Sequence, residues 1–184
     1  MSKRVAFFVC KGSEDTEVVT PIDILRRSQA IVDIISVENI PTVALSQGTE
    51  IVVNLKLADA DLSKYNAFII PGGDITAFEN GTAKKVQDFF VANFNRSDLL
   101  FASICAGPHV LYTWGLLAGR KVTAYPGVQK GAFDKEYTGQ QVTVDKNLIT
   151  GNGPGAAFEF GRAISAALFS KEAADGVLSS MQVK

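Results

Sequence analysis

Cys105 lies in the stretch Ser103-Ile104-Cys105-Ala106-Gly107-Pro108, with a small residue two places to either side. Small residues at those offsets let a strand turn sharply into a helix and expose the central side chain. The pattern is a nucleophile elbow, here S-x-C-x-G in place of the G-x-S-x-G of hydrolases. At such a turn the unpaired amides and dipole of the following helix favour a thiolate. The same residues also fit a buried, inert cysteine at a strand end. Cys10, inside an apolar run, reads as that inert kind.

Thiol chemistry needs oxyanion donors and a proton acceptor. The Ala106 amide, directly after the nucleophile, is a natural donor. Gly72 and Gly73 lack Cβ atoms, so their backbone can come close to a bound oxygen, although Pro71-Gly72-Gly73 is also what a plain tight turn looks like. Gly12-Ser13-Glu14-Asp15-Thr16-Glu17 offers three acids. Carboxylates in the first turn of a helix complement its dipole, and one of these would reach the elbow if the first and fifth strands lay side by side. His109, the single histidine, stands four residues after Cys105. It borders the apolar stripe Val110–Trp114 and reads as a packing or hydrogen-bonding residue before a catalytic base. Gly151-Asn152-Gly153-Pro154-Gly155 has neither P-loop nor GxGxxG spacing and shapes a helix start.

The elements that must position these groups follow from periodicity. Val5–Cys10, Ile31–Val37, Glu50–Val53, Ala67–Ile70, Leu99–Ile104, Lys121–Ala124, Val142–Val144 and Leu148–Thr150 read as strands, the last two as a hairpin about Asp145-Lys146-Asn147. The first helix is expected to be capped by Ser13, with Val18, Val19, Ile22 and Leu25 on one face and Pro21 kinking it or near its start. Lys84–Phe94, the stripe Val110–Leu117, Ala156–Leu168 and Ala173–Met181 carry helical periodicity. Strands alternating with helices imply a single α/β domain, doubly wound, with a mostly parallel sheet covered by helices on both faces. Function in such folds gathers at the carboxyl ends of the strands.

Composition narrows the chemistry. Eighteen Lys and Arg against 19 Asp and Glu in 184 residues leave no basic footprint for nucleic acid. No stretch approaches a membrane span and the amino end lacks a secretory pattern, so a cytoplasmic protein is expected. Two cysteines and one histidine make neither a four-ligand Cys/His zinc site nor a disulfide framework. No metal and no cofactor are expected.

Four motifs in order resemble one family: Gly12-x-Glu14-x-x-Glu17 with Thr20-Pro21-Ile22-Asp23, then Pro71-Gly72-Gly73, Ile104-Cys105-Ala106-Gly107-Pro108, and Gly153-Pro154-Gly155-x-x-Phe158-Glu159-Phe160. The chain is similar to the ThiJ/PfpI superfamily (class I glutamine amidotransferase-like) over nearly all of residues 1–184, in the branch of the Parkinson-disease-associated protein deglycase. The resemblance implies a flavodoxin-like homodimer with a hyper-reactive cysteine at Cys105, an acidic partner at Glu17 and oxyanion amides at Gly73 and Ala106. It implies cofactor-independent glyoxalase or deglycase chemistry on 2-oxoaldehydes such as methylglyoxal or on glycated substrates. Redox sensing or a chaperone role, with Cys105 oxidised to the sulfinate, is the alternative.

Two positions depart from the family. Thr123-Ala124-Tyr125-Pro126 carries Tyr125 where a histidine assists proton transfer, and Gln47 replaces an arginine that reaches the site across the dimer. A phenol titrating near pH ~10 is a poor base but still donates a hydrogen bond. Loss of a general base costs on the order of 10²–10⁴-fold, so weak turnover is expected. Protease-like relatives place a histidine directly after the nucleophile; Ala106 stands there, and proteolysis is not expected.

Overall fold

The first strand, β1 (Arg4–Val9), is apolar on both faces and therefore needs cover on both. In the structure, a computed structural model describing residues 2–183, Ala6 and Phe8 enter one buried cluster while Val5, Phe7 and Val9 enter the other. Between the clusters runs a seven-stranded sheet in the order β5 (Leu55–Lys56), β2 (Ile31–Ser36), β1, β6 (Ala67–Ile70), β7 (Leu100–Ile104), β9 (Leu148–Gly151) and β8 (Val142–Asp145). Every neighbouring pair is parallel except β8 with β9. The fold is α/β and flavodoxin-like. A separate antiparallel pair, β3 (Thr42–Ala44) and β4 (Glu50–Val52), projects from it.

Helices cover both faces. α1 (Asp15–Arg27) and α5 (Ala157–Leu168) bury Val18, Ile22, Leu25, Phe160 and Ile164 on one side. On the other, α3 (Lys84–Asn93) and α4 (Gly107–Thr113) bury Val86, Phe90, Val110 and Leu111. There Phe90 meets Phe101 of β7 edge-on at 4.8 Å and Trp114 at 5.5 Å. Each buried aromatic contributes roughly 1.5–3 kcal/mol by leaving water, and this cluster fixes β7 against its helices. The short α2 (Thr76–Glu79) touches α4, and α6 (Lys171–Ser180) packs on α5.

From β1 the chain winds outward to β2, then returns to place β6 on the other side of β1 and continues the opposite way. The winding reverses between β1 and β6, where doubly wound sheets open their crevice at the strands' carboxyl ends.

Several local expectations are corrected. Glu14, not Ser13, caps α1, accepting from the Glu17 amide, while the Ser13 hydroxyl folds back to accept from the Cys10 amide at 3.1 Å. Val19 is 49% exposed, because it lies a step of ~100° round the helix from the Val18–Ile22–Leu25 stripe. α1 runs through Pro21, which has no N–H to return to the Glu17 carbonyl. Lys121–Ala124 forms no strand; only an isolated bridge joins Val122 to Tyr137, since the Thr123 amide is taken by the Thr150 hydroxyl at 2.8 Å. Residues 50–52 pair with β3 instead of joining the main sheet.

Candidate active site

Cys105 is the first residue after β7, and its φ is +63°. A side chain in the left-handed region costs on the order of 1 kcal/mol, so the surroundings must hold it there. They do so from both sides. The Cys105 amide donates to the Gly151 carbonyl at 2.9 Å, extending the ladder to β9, and its carbonyl accepts from the Tyr125 amide at 2.9 Å. The flanking small residues have distinct tasks. Ser103 Oγ donates to the Ile70 carbonyl at 3.0 Å, and a Cβ at Gly107 would collide with that hydroxyl.

The acidic group arrives by a route the sequence reading placed wrongly. β1 and β7 are not neighbours; β6 lies between them. Glu17 spans that gap over Gly72, whose amide donates to Glu17 Oε2 at 2.8 Å. A Cβ at Gly72 would sit 2.5 Å from Cys105 Cβ, 2.7 Å from Glu17 Oε2 and 2.9 Å from the Ala106 nitrogen. The missing side chain is therefore the space in which the carboxyl and the cysteine meet. Gly73 adopts φ +84° beside it, pressed against the backbone of Gly12 to Glu14.

Electrostatically the pair is unusual. Glu17 is fully buried, and that burial raises its pKa to about 7 against the opposing effects of the neighbouring Cys105 thiol and of the Gly72 amide bond; the negative charge of Glu14 adds to the rise. Its Oε2 takes the Gly72 bond, while Oε1 has no settled hydrogen-bond partner. The Cys105 thiol is pushed up to about 12, first by burial, then by the charge and hydrogen bonding of Glu17, against amides of Ala106 and Gly73 that favour the thiolate. Helix-terminus amides alone thus do not yield the low-pKa thiolate expected from the elbow. Both Glu17 contributions require an ionised carboxyl. With the proton on Glu17 they vanish, and the two amides act on the sulfur unopposed except by burial.

The structure brings Cys105, Glu17, Gly72, Gly73 and Ala106 together. Tyr125 reaches the elbow through its backbone; its side chain is 51% exposed and faces Gly153. Gln47, at the exposed tip between β3 and β4, is tied by its amide to Asp15 at 2.7 Å. His109 Nδ1 lies 2.8 Å from Glu79 Oε1 on α2, a hydrogen-bonding role as the apolar stripe suggested. Cys10 is buried against the Asp74 carbonyl, and burial pushes its thiol to about 11. Sequence reasoning missed Glu14 as cap and Thr150 as anchor of the strap before Tyr125. The first was visible as an acid three residues before Glu17, but a lone buried threonine carries no signal. Among the described residues no group of three or more His, Cys, Asp or Glu could hold a metal ion. Three large cavities, about 650, 660 and 620 Å³, lie elsewhere: one beside Phe158 and Leu178, one beside Asn66 and Arg120, and one beside Val144 and Ala163.

A flavodoxin-like sheet carrying a strained cysteine between a buried carboxyl and backbone amides defines a class: the elbow-thiol proteins of the doubly wound fold. The chain belongs to the DJ-1/PfpI family, whose pattern it matches over residues 3–167. It is 31% identical over 186 residues to the Parkinson disease protein 7 homolog of Danio rerio, covering 99% of this chain and 98% of that protein. It is 29% identical over 191 residues to the glutathione-independent glyoxalase DJ-1 of Schizosaccharomyces pombe, covering 98% of each. Among solved structures, oxidized Toxoplasma gondii DJ-1 superposes with a TM-score of 0.89 at 29% identity, over 98% of each chain. Two Arabidopsis thaliana relatives are longer; the chain spans 37% of one and 47% of the other. No helix among the described residues is long and apolar enough to cross a membrane.

Proposed function

We propose that the protein is a cysteine-dependent, cofactor-independent glyoxalase or deglycase-type enzyme acting on 2-oxoaldehydes such as methylglyoxal. One observation carries this reading: Cys105 sits beside the buried Glu17 carboxyl and the amides of Ala106 and Gly73, all of which act on its ionisation, and Glu17 Oε1 has no hydrogen-bond partner among the described residues. The sulfur adds to the aldehyde carbon, the carbonyl electron pair moves onto oxygen, and that oxygen takes a proton, giving a hemithioacetal. Glu17 moves the proton from the aldehyde carbon to the neighbouring ketone carbon while the hydroxyl proton of the adduct passes to the ketone oxygen, which converts the adduct to a lactoyl thioester. Water then cleaves the carbon–sulfur bond, releasing lactate and restoring the thiol. The amides of Ala106 and Gly73, with Gly72 beside them, hold the oxyanion. The glyoxalase named in S. pombe supports the substrate class. Tyr125 is a hydrogen-bond donor at the rim, and its phenol makes turnover slow. Lactate formation from methylglyoxal is expected in the wild type and absent in Cys105→Ala; equal rates would sink the proposal.

A second reading has its own support. A neutral Glu17 and two amides suit the oxygens of a sulfinate as well as they suit an oxyanion, and the Toxoplasma relative was solved oxidized. In this reading two peroxide molecules each transfer one oxygen to Cys105 and leave as water, and the protein serves as a redox-responsive stress protein. Intact-mass analysis after mild peroxide decides: two oxygens at Cys105 with negligible lactate formation favours it.

The assembly we propose is a homodimer through α1 and β4. Val19 and Val52 are 49% and 76% exposed, and an apolar groove of about 220 Å³ runs between Val18, Ile22 and Ile51. Sedimentation should give a dimer that Val52→Asp weakens. Both cysteines are free thiols, which suits the reducing cytoplasm.

A further inference from the structure

Three hydrogen bonds close a ring around the buried carboxyl. The Glu14 amide donates to the Gly72 carbonyl at 3.1 Å, and the Gly72 amide donates to Glu17 Oε2 at 2.8 Å. The Glu17 amide completes it by donating to Glu14 Oε2 at 2.8 Å. Each bond to Gly72 ties the start of α1 to the turn after β6. The cap itself is not the usual residue: Ser, Thr, Asp and Asn serve best at that position. A serine stands next door at Ser13, yet the helix begins on Glu14.

We propose that Glu14 is a positioning residue for the thiol site: its carboxylate caps α1 at Glu17 and sets a second negative charge beside the same buried carboxyl, so that Glu17 takes up the Cys105 proton and then meets the thiolate as a hydrogen-bond donor. The geometric part follows from the ring. With its amide, its Oε2 and the Gly72 turn all tied together, Glu17 is held beside the elbow, and its Oε1 is left without a partner. The electrostatic part follows from like charge, which disfavours ionising Glu17. The ionisable groups acting on Glu17 are Glu14 from its own turn and Cys105 from the elbow; the turn after β6 presents only its amide. Asp15, next in sequence, spends its carboxylate on Ser46, Gln47 and Thr49. The step that Glu14 favours is a proton transfer alone: the proton leaves the Cys105 sulfur, rests on Glu17, and the electron pair stays on sulfur as the thiolate. The inference rests on the Cys105–Glu17 pairing proposed above and is independent of the aldehyde chemistry.

The test measures the rate at which iodoacetamide alkylates Cys105 between pH 5 and 9, by intact mass, in the wild type, Glu14→Gln and Glu14→Asp. Gln keeps a cap oxygen and removes the charge. Its melting temperature should match the wild type, while the alkylation plateau falls roughly two- to tenfold and the midpoint moves to lower pH, a tenfold change being one pKa unit. Asp keeps the charge and should hold the wild-type midpoint. A Gln profile superposing on that of a reactive wild type overturns the proposal and leaves the thiol site standing. A midpoint that Asp moves as far as Gln does overturns the charge argument. A wild-type Cys105 that is not alkylated overturns both the pairing and this inference.

Discussion

Replacing Glu17 by Gln should disable the thiol site and, above pH 7, stabilise the fold. An unburied glutamate loses its proton near pH 4.5, whereas Glu17 holds its proton to about 7, chiefly because burial penalises the charge. Below pH 4.5 both folded and unfolded chains carry the proton, and Glu17 imposes no penalty. As pH rises from 4.5 to about 7 the unfolded chain releases its proton while the folded chain keeps it, so stability falls continuously and then levels off. At about 1.4 kcal/mol per unit, the full difference is about 3 kcal/mol. Gln is nearly isosteric: its oxygen keeps the Gly72 amide bond, its NH₂ turns toward Cys105, and it never ionises. Urea unfolding of both proteins under reducing conditions at pH 4.5, 6, 7 and 8 reads the difference directly. The curves should nearly coincide at pH 4.5 and separate progressively, the variant's midpoint being higher by on the order of 1 M urea at pH 8. A constant gap across the range, or a variant less stable at pH 8, would refute the assignment of a buried, protonated Glu17.

Gly72→Ala should destabilise by about 1–3 kcal/mol, as overpacking does, and abolish Cys105 alkylation, because the new methyl occupies the space where the carboxyl and the cysteine meet; thermal melts and mass spectrometry check both. Cys105→Gly should be more stable than Cys105→Ala by about 0.5–1 kcal/mol, since only glycine adopts φ +63° without strain; equal urea midpoints would show that the elbow is unstrained. Tyr125→His should raise lactate formation from methylglyoxal by at least ~10-fold near pH 7 by supplying a base that titrates there; an unchanged kcat would show that this position takes no part in proton transfer.

The frame was largely legible because it rests on runs that admit few readings. Val5–Val9 and Ala67–Ile70 are apolar without interruption and Leu100–Ile104 is broken only by the buried Ser103, and only a sheet covered on both faces accommodates three such strands. The elbow was legible from spacing, since Ser103 and Gly107 crowd each other within one turn, although Ile70 and Pro71 press on the same place from the neighbouring strand. What escaped was set by contacts between distant parts of the chain. Ser13 looks like a cap, but Gly73 bridges to it and its hydroxyl closes on Cys10, which moves the cap to Glu14. Thr123 has strand propensity, yet its amide is claimed by Thr150. That Glu17 reaches Cys105 over a third strand depends on an absent Cβ, and no local pattern distinguishes that glycine from one in an ordinary turn.

The site's bonds span long stretches of chain: Glu17 to Gly72 covers 55 residues, and Cys105 is pinned by Gly151 and Tyr125. Only a fragment that runs from α1 to β9 contains them all. In the unfolded or half-folded chain Cys105 is therefore an ordinary thiol near its usual pKa, and the reactivity proposed for it requires β1, β6, β7 and β9 assembled with α1 in place. Reactivity and folding are then the same event read by two methods. The proposed chemistry would then not run ahead of the fold: a nascent chain would be spared the reactions proposed for its finished site, and a fluctuation that lifts the first turn of α1 would switch the thiol off before the sheet opens.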